Sequence, residues 1–298
     1  MSSPTKTIDL AVLLLNYNSY ELTIKIVEHL RAQQSSLHIL YFIVDNASPN
    51  NAYEILQKQF ASCSDVIVAC TPENGGYAKG NNYGLRKLKT YQPQYVLIIN
   101  NDVWFDLQTV ERCIARYREA ERPGIVAPIQ LLPNGAPARY ATLKCPNFKD
   151  DVLQYLGRNR WAKPIDYQSN CSHPDLLAVD IVPGSFLLGE YALFEAIDYF
   201  SEETFLFCEE AFLSRKITQH NRQNYIILSE HYIHEHSATI KSLHNLRAQY
   251  RFLLDSQIAY AKAFYRYPAL QIPILKVLNY TYVQILILWK RMFQRKKS

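Results

Sequence analysis

The stretch "YVLIINNDVWF", residues 95–105, runs five apolar residues straight into two asparagines and an aspartate. Tyr95 to Ile99 shows no alternation of polar and apolar positions and is bounded by polar residues, so it reads as a short strand buried on both faces. Asn100, Asn101 and Asp102 then stand at its exit. The same grammar recurs on either side. The apolar runs "DLAVLLL" (9–15), "HILYFIV" (38–44), "DVIVA" (65–69) and "GIVAPI" (124–129) alternate with amphipathic segments at 20–32, 52–60, 77–89 and 106–119. Strands alternating with helices predict an α/β fold with a mostly parallel central sheet and helices on both faces.

Local signals support the boundaries. Asn18 with Glu21, and Asn51 with Glu54, have the spacing of capping boxes, and Asp106 is placed to cap the helix after "NNDVW". Between 132 and 178 the pattern pauses around Pro133, Pro137, Pro146, Pro164 and Pro174; the reading is a long excursion of two short strands and a loop over the sheet. Pattern returns with "AVDIVPGSFLLG" (178–189), helices at about 190–198 and 208–220, and the strand "YIILS". Residues 240–266 read as helical and an apolar segment follows. The division expected is a catalytic domain over 1–240 and a helical region over 241–298.

Nearly half of the 298 residues are hydrophobic and a fifth are charged, which is globular composition and excludes a disordered chain. The net charge of +5 is modest, but Lys290, Arg291, Arg295, Lys296 and Lys297 crowd the last nine residues. Such a cluster suits an anionic surface; no nucleic-acid partner is expected. The six cysteines form no CxxC pair and no zinc spacing, so reduced structural thiols in a cytoplasm are expected. The apolar run near the N-terminus is too short to span a membrane and lacks a cleavage site, so no signal peptide is expected.

In open parallel sheets ligands bind outside the carboxyl ends of the strands. There the chain places "NYN" (16–18), "DNASPN" (45–50), "TPENGGYAKGNN" (71–82) and "NND" (100–102). Any one cluster is ordinary turn and cap chemistry; four in succession on one edge point to a functional edge. "NGGYAKGNNYG" fails both the dinucleotide register and the Walker pattern. Its glycines either let backbone amides approach a phosphate, with Lys79 nearby, or make a turn before a helix. Asp102, one carboxylate among neutral amides, suits Mg²⁺ or Mn²⁺ bridged to a diphosphate, ions that need few protein ligands. Downstream, Glu209 and Glu210 open a helix, where the dipole favours carboxylates. "HYIHEHSAT" then gathers His231, His234 and His236, which read either as metal or phosphate contacts or as a surface cluster.

Taken together, "LLNYN", "FIVDNAS", "ENGGYAKGNNYGL", "VLIINND", "VPGSFLLG", "FCEEAFL" and "HEHSAT" resemble, in order, the inverting family 2 glycosyltransferases, particularly the rhamnosyltransferase-like group that builds bacterial surface polysaccharides. The resemblance covers about residues 8–240. It implies a GT-A fold, a nucleotide-sugar donor linked to UDP or dTDP, and Mg²⁺ or Mn²⁺. By position it implies that Asp45 contacts the nucleobase or ribose, that Asn16 and Asn18 line the base pocket, and that Asn74, Lys79, Asn82 and Asn101 lie near the nucleotide. Asp102 corresponds to the last acid of the DxD-like motif and would hold the metal, with His234 as the downstream histidine. Glu210 falls on the catalytic base, with Glu209 before it. Two positions depart from the family pattern: Asn100 replaces the first acid of the motif, and Phe212 stands where many relatives carry a further acid.

A sugar hydroxyl is too weak an acid to ionise at neutral pH, so a carboxylate must take its proton as it attacks the anomeric carbon. The expectation is therefore an enzyme moving one sugar from a nucleotide donor to a saccharide acceptor, lipid-linked, with inversion. The rivals are a nucleotidyltransferase, for which "NYNSYE" offers no basic glycine-rich loop, and a carbohydrate-binding scaffold of weak catalytic power. Near the C-terminus, Gln271, Lys276, Asn279 and Gln284 with Pro268 and Pro273 argue against a spanning helix. An amphipathic helix over 274–293 is expected, with the stripe Ile274, Leu278, Tyr282, Ile285 and Trp289 either lying on an anionic membrane surface or packing on the catalytic domain or a second copy in a homo-oligomer. The first option implies a peripheral location at the inner face of the cell membrane.

Overall fold

The computed structural model describes residues 7–138, 144–156, 175–235 and 246–294. The stretch 95–105 does what its composition dictates. Tyr95–Ile99 (β4) is wholly buried and pairs in parallel with Leu10–Asn16 (β1). Beyond β1 lie Ile39–Asp45 (β2) and the edge strand Val66–Cys70 (β3), all parallel. On the other side of β4 come Phe186–Glu190 (β8), Pro123–Leu131 (β6), Gln223–His234 (β9) and Val103–Trp104 (β5), with Leu176–Val179 (β7) branching from β9. Strand β8 runs against β4 and β6, and β5 and β7 run against β9. Six of the nine strands therefore point one way, as the alternating pattern requires.

Helices Tyr20–Arg31 (α1), Ala52–Gln59 (α2), Gly76–Leu88 (α3) and Leu107–Glu119 (α4) fall where the periodicity placed them. The capping boxes do not form. Asn18 and Asn51 have φ of 56° and 55°, and neither α1 nor α2 has a side-chain cap; asparagine is used here because it tolerates the left-handed region. Asp106 does occupy the N-cap of α4, but without a side-chain bond; the Leu107 amide is taken by Gln33 Oε1 at 2.7 Å. In α3 the glycines serve packing. A Cβ at Gly80 would lie 2.5 Å from the Leu15 side chain and one at Gly84 2.5 Å from that of Leu13, so the pair lets α3 lie close on β1.

The excursion contains a helix, Phe148–Tyr155 (α5), where two strands and a loop were expected; a true N-cap, Asn147, starts it. Its central part, with Cys171, Pro164 and Pro174, lies outside the described residues. Tyr191–Ala196 (α6) and Glu209–Gln219 (α7) match their expected places, while β9 extends past "YIILS" to His234. Leu246–Phe264 (α8) and Pro268–Gln294 (α9) complete the chain, and α9 is one unbroken helix with Pro273 inside it.

The C-terminal helices are joined to the rest by a small apolar cluster of Phe212, Tyr260, Phe264 and Tyr265. Phe212 meets the rings of Tyr260 and Phe264 at 5.3 and 5.4 Å. That contact explains the departure at position 212: α8 covers it, and an acid there would be buried against two rings. The five cysteines in the described residues are free thiols.

Candidate active site

Parallel register brings the strand exits together. Asn16 lies opposite Asp45 and Asp45 opposite Cys70, while the Asn100 amide reaches the Ser185 carbonyl at 3.2 Å, joining the β4 exit to the loop before β8.

Behind this edge runs a buried chain of hydrogen bonds. Asn101 Nδ2 donates to Thr23 Oγ1 at 3.0 Å, Thr23 Oγ1 to Asn16 Oδ1 at 2.8 Å, and Asn16 Nδ2 to Asp45 Oδ1 at 2.7 Å. Asp45 also accepts from the Ser48 amide and hydroxyl at 2.9 and 2.7 Å. Donors on both oxygens hold a carboxylate in one orientation. Asn16 and Asn101 are thus buried brackets for Asp45, and Thr23, which sequence reasoning passed over, is their link. Asn18 is exposed, its amide bonded to Ser48 Oγ at 2.9 Å.

The α3 side is laid out similarly. Asn74 Oδ1 accepts from Asn46 Nδ2 and from the Gly76 amide at 2.9 and 3.0 Å, closing the turn that starts the helix. Lys79 is exposed one turn on. Asn82 faces elsewhere: it is fully buried, donating to the Phe200 carbonyl and Glu202 and accepting from the Phe200 amide. Both ends of its amide are used in holding the 200–202 loop, so it supports the site from behind.

Asp102 and His234 are both buried, with Oδ1 and Nε2 3.1 Å apart. The pairing of Val103 with His234 in the β5–β9 ladder brings them together. A carboxylate and an imidazole side by side, next to a strand exit, fit a divalent cation that completes its shell with phosphate oxygens. Among the described residues no group of three or more such ligands occurs; His231 is exposed, and His236 lies outside the described residues.

Glu209 and Glu210 open α7 after two residues in left-handed conformation, Phe207 and Cys208, with φ of 77° and 66°. Non-glycine residues adopt this only under constraint, and such strain gathers at functional sites. Glu209 is 4% exposed, and its Oε1 has no hydrogen-bond partner among the described residues. Burial raises both carboxyls above the usual carboxylate range, and the charge of Glu210 raises Glu209 further. Two adjacent acids, one buried and one half-buried, cannot both carry charge readily, so the pair retains a proton above the usual range. The Glu210 carboxylate lies against the Gly184 backbone, whose amide favours its charged form.

The fold is GT-A-like, the architecture of nucleotide-sugar-dependent glycosyltransferases. Residues 11–189 match glycosyl transferase family 2, and the chain belongs to that family. The low-salt glycan biosynthesis hexosyltransferase Agl10 of Haloferax volcanii is 25% identical over 203 residues, 68% of this chain and 59% of that protein. The chain therefore spans less than two thirds of that relative's length. Among solved structures, the mannosyltransferase PcManGT of Pyrobaculum calidifontis, in complex with GDP-Man and Mn²⁺, superposes with a TM-score of 0.57 at 14% identity, covering 98% of this chain and 81% of that one. GalNAc-T7 with UDP, GalNAc and Mn²⁺ gives 0.59 at 12% identity, over 78% and 44%. TarS 1-349 of S. aureus with UDP-GlcNAc gives 0.54 at 16%, over 92% and 73%.

Proposed function

We propose that this chain is an inverting glycosyltransferase that moves a hexosyl unit, rhamnose-like in the reading from its motifs, from a UDP- or dTDP-linked donor to a lipid-linked saccharide during surface polysaccharide assembly. The observation that carries the reading is the carboxylate pair at the start of α7, Glu209 buried and Glu210 half-buried against Gly184, tied through Gly184 and Ser185 to the strand edge that holds Asp102. Glu210 takes the proton of the acceptor hydroxyl as its oxygen attacks the anomeric carbon, and the bond to the nucleoside diphosphate breaks on the opposite face. Burial gives the carboxylate the higher proton affinity a base needs. Glu209 beside it, raised further by the charge of Glu210, keeps the proton that the pair retains.

Asp45, oriented by Asn16, Thr23 and Asn101, is placed for the nucleobase or ribose, with Asn18 and Asn74 at the rim. Lys79 is free to approach phosphate. Asp102 and His234 would hold Mg²⁺ or Mn²⁺, which would supply positive charge to offset that of the departing diphosphate. An imidazole in the donor set favours Mn²⁺ of the two, since Mg²⁺ prefers oxygen ligands.

The C-terminal helix supports work at a membrane surface. Helix α9 buries Leu275, Asn279 and Val283 and leaves Leu270, Ile274, Val277, Ile285 and Leu288 exposed on the opposite side. An apolar face on a helix leading to a basic terminus suits the inner, anionic face of a membrane. The decisive experiment is Glu210→Gln. UDP or dTDP should bind as before, with Mn²⁺ stabilising the complex, while transfer falls by roughly 10² or more. Normal transfer would remove Glu210 as base.

A further inference from the structure

Tyr77 stands second in α3, in the first turn after the donor-side loop of Asn74. It touches three segments at once. Its amide donates to the Phe205 carbonyl at 3.2 Å, its ring meets Phe200 edge-on at 5.9 Å, and its hydroxyl donates to the Gly184 carbonyl at 2.6 Å.

Gly184 is the platform of Glu210. A Cβ built on it would lie 2.3 Å from Glu210 Oε1 and 3.0 Å from Cδ, so the carboxylate occupies the space that any other residue would fill. The segment on the far side is equally tight. A Cβ at Gly76 would sit 2.1 Å from the Phe205 carbonyl, and the Phe205 ring stacks on Phe252 of α8 at 5.0 Å. The start of the donor-side helix, the glycine loop and the segment leading to α7 thus meet at one residue, Tyr77.

We propose that Tyr77 is a positioning residue that sets the place of the Glu210 carboxylate through its hydrogen bond to Gly184, and so couples the donor-side turn of α3 to the base. The proposal rests on the reading of Glu210 as base. Burial, with the charges of Glu210 and Glu209 adding, holds the phenol far above its ordinary pKa, so the hydroxyl keeps its proton and donates throughout the working pH range. A displacement of the platform by a fraction of an ångström would take the carboxylate out of line with the acceptor hydroxyl, and reaction rates are steep in such displacements.

The test is a double-mutant cycle on full-length protein with Tyr77→Phe, Glu210→Gln and both together. Tyr77→Phe should lower kcat about tenfold with the donor KM within about twofold. The acid limb of its kcat profile should move to higher pH, because a misplaced Gly184 amide no longer favours the charged carboxylate. In the Glu210→Gln background the same change should have less than a twofold effect, since the residue it acts through is gone. Gly184→Ala gives a second route, with a larger loss of kcat and donor-induced thermal stabilisation retained. Equal losses from Tyr77→Phe in both backgrounds, or a lower melting temperature with kcat and pH profile unmoved, would overturn the positioning role and leave Glu210 as base. Parental transfer by Glu210→Gln alone would overturn the base assignment and this inference with it.

Discussion

Asp45 and Asp102 are buried carboxylates at the exits of β2 and β4, the two strands that flank β1, yet they are held in different ways. Asp45 accepts from Asn16, from the amide and hydroxyl of Ser48, and from the Cys70 thiol. Asp102 faces His234. Two separable outcomes follow. Asp45→Ala should weaken UDP or dTDP binding by calorimetry to the same degree with and without Mn²⁺. It should also lower stability by about 1–3 kcal/mol, because the Asn16 and Ser48 donors lose a buried partner. Asp102→Asn should leave metal-free nucleotide binding in place and abolish its strengthening by Mn²⁺, since it removes the charge that would hold the cation. The residue types of this site were legible in "NYN", "DNAS" and "NND". Their division of labour was not, because whether an asparagine meets ligand or supports a neighbour depends on partners such as Thr23, ordinary in type and 78 positions from Asn101.

At the level of elements, α9 shows how far periodicity reaches. A helix was expected, and a helix forms; the Pro268–Leu288 segment is also long and apolar enough to cross a membrane by length and composition, contrary to the reading from its polar interruptions. The expected stripe splits: Ile274 and Ile285 are exposed, Leu278 and Tyr282 half-buried. The side chain of Trp289 and the basic residues Arg295, Lys296 and Lys297 lie outside those described. The face that packs inward carries Asn279, which bonds Tyr155 Oη at 3.0 Å. Because α9 is apolar on two sides, hydrophobicity alone could not say which side the protein uses. Replacing Leu270 and Val277 together by Asp should cut sedimentation with anionic vesicles by about tenfold or more, with melting temperature and transfer to a soluble acceptor unchanged. If vesicle binding persists, the exposed face is not the membrane contact.

For the molecule as a whole, the C-terminal helices are bound to α5 through a buried polar cluster. Asp151 of α5 accepts from Tyr265 Oη at 2.6 Å and from Gln257 Nε2 at 3.0 Å; Tyr155 Oη in turn donates to Gln257. Burial pushes the Asp151 carboxyl up to about 6, against the partial relief of those hydrogen bonds. An acid with a raised folded pKa binds its proton more tightly in the folded state. The contribution of Asp151 to stability is therefore highest below the unfolded pKa near 4 and falls as pH rises from about 4 to 6, by roughly 3 kcal/mol over the two pH units. Asp151→Asn should flatten that part of the melting profile and raise the melting temperature by a few degrees at pH 8, as followed by calorimetry. An unchanged profile would place the pH dependence elsewhere.

What the sequence determined by itself was everything that follows from local period and local chemistry. Buried runs of five to seven residues separated by amphipathic segments admit little besides a parallel α/β sheet, and polar residues after each run have to lie along one edge. The pairing of Asp102 with His234, the seat of Glu210 on Gly184 and the clasp of Tyr77 across three loops were decided only by tertiary structure. Each joins residues separated by 26 to 132 positions, and no periodicity reports on such a distance. Gly184 shows the limit most plainly. In "VPGS" it looks like turn chemistry, and only the carboxylate resting where its side chain would be gives the physical reason for a glycine there.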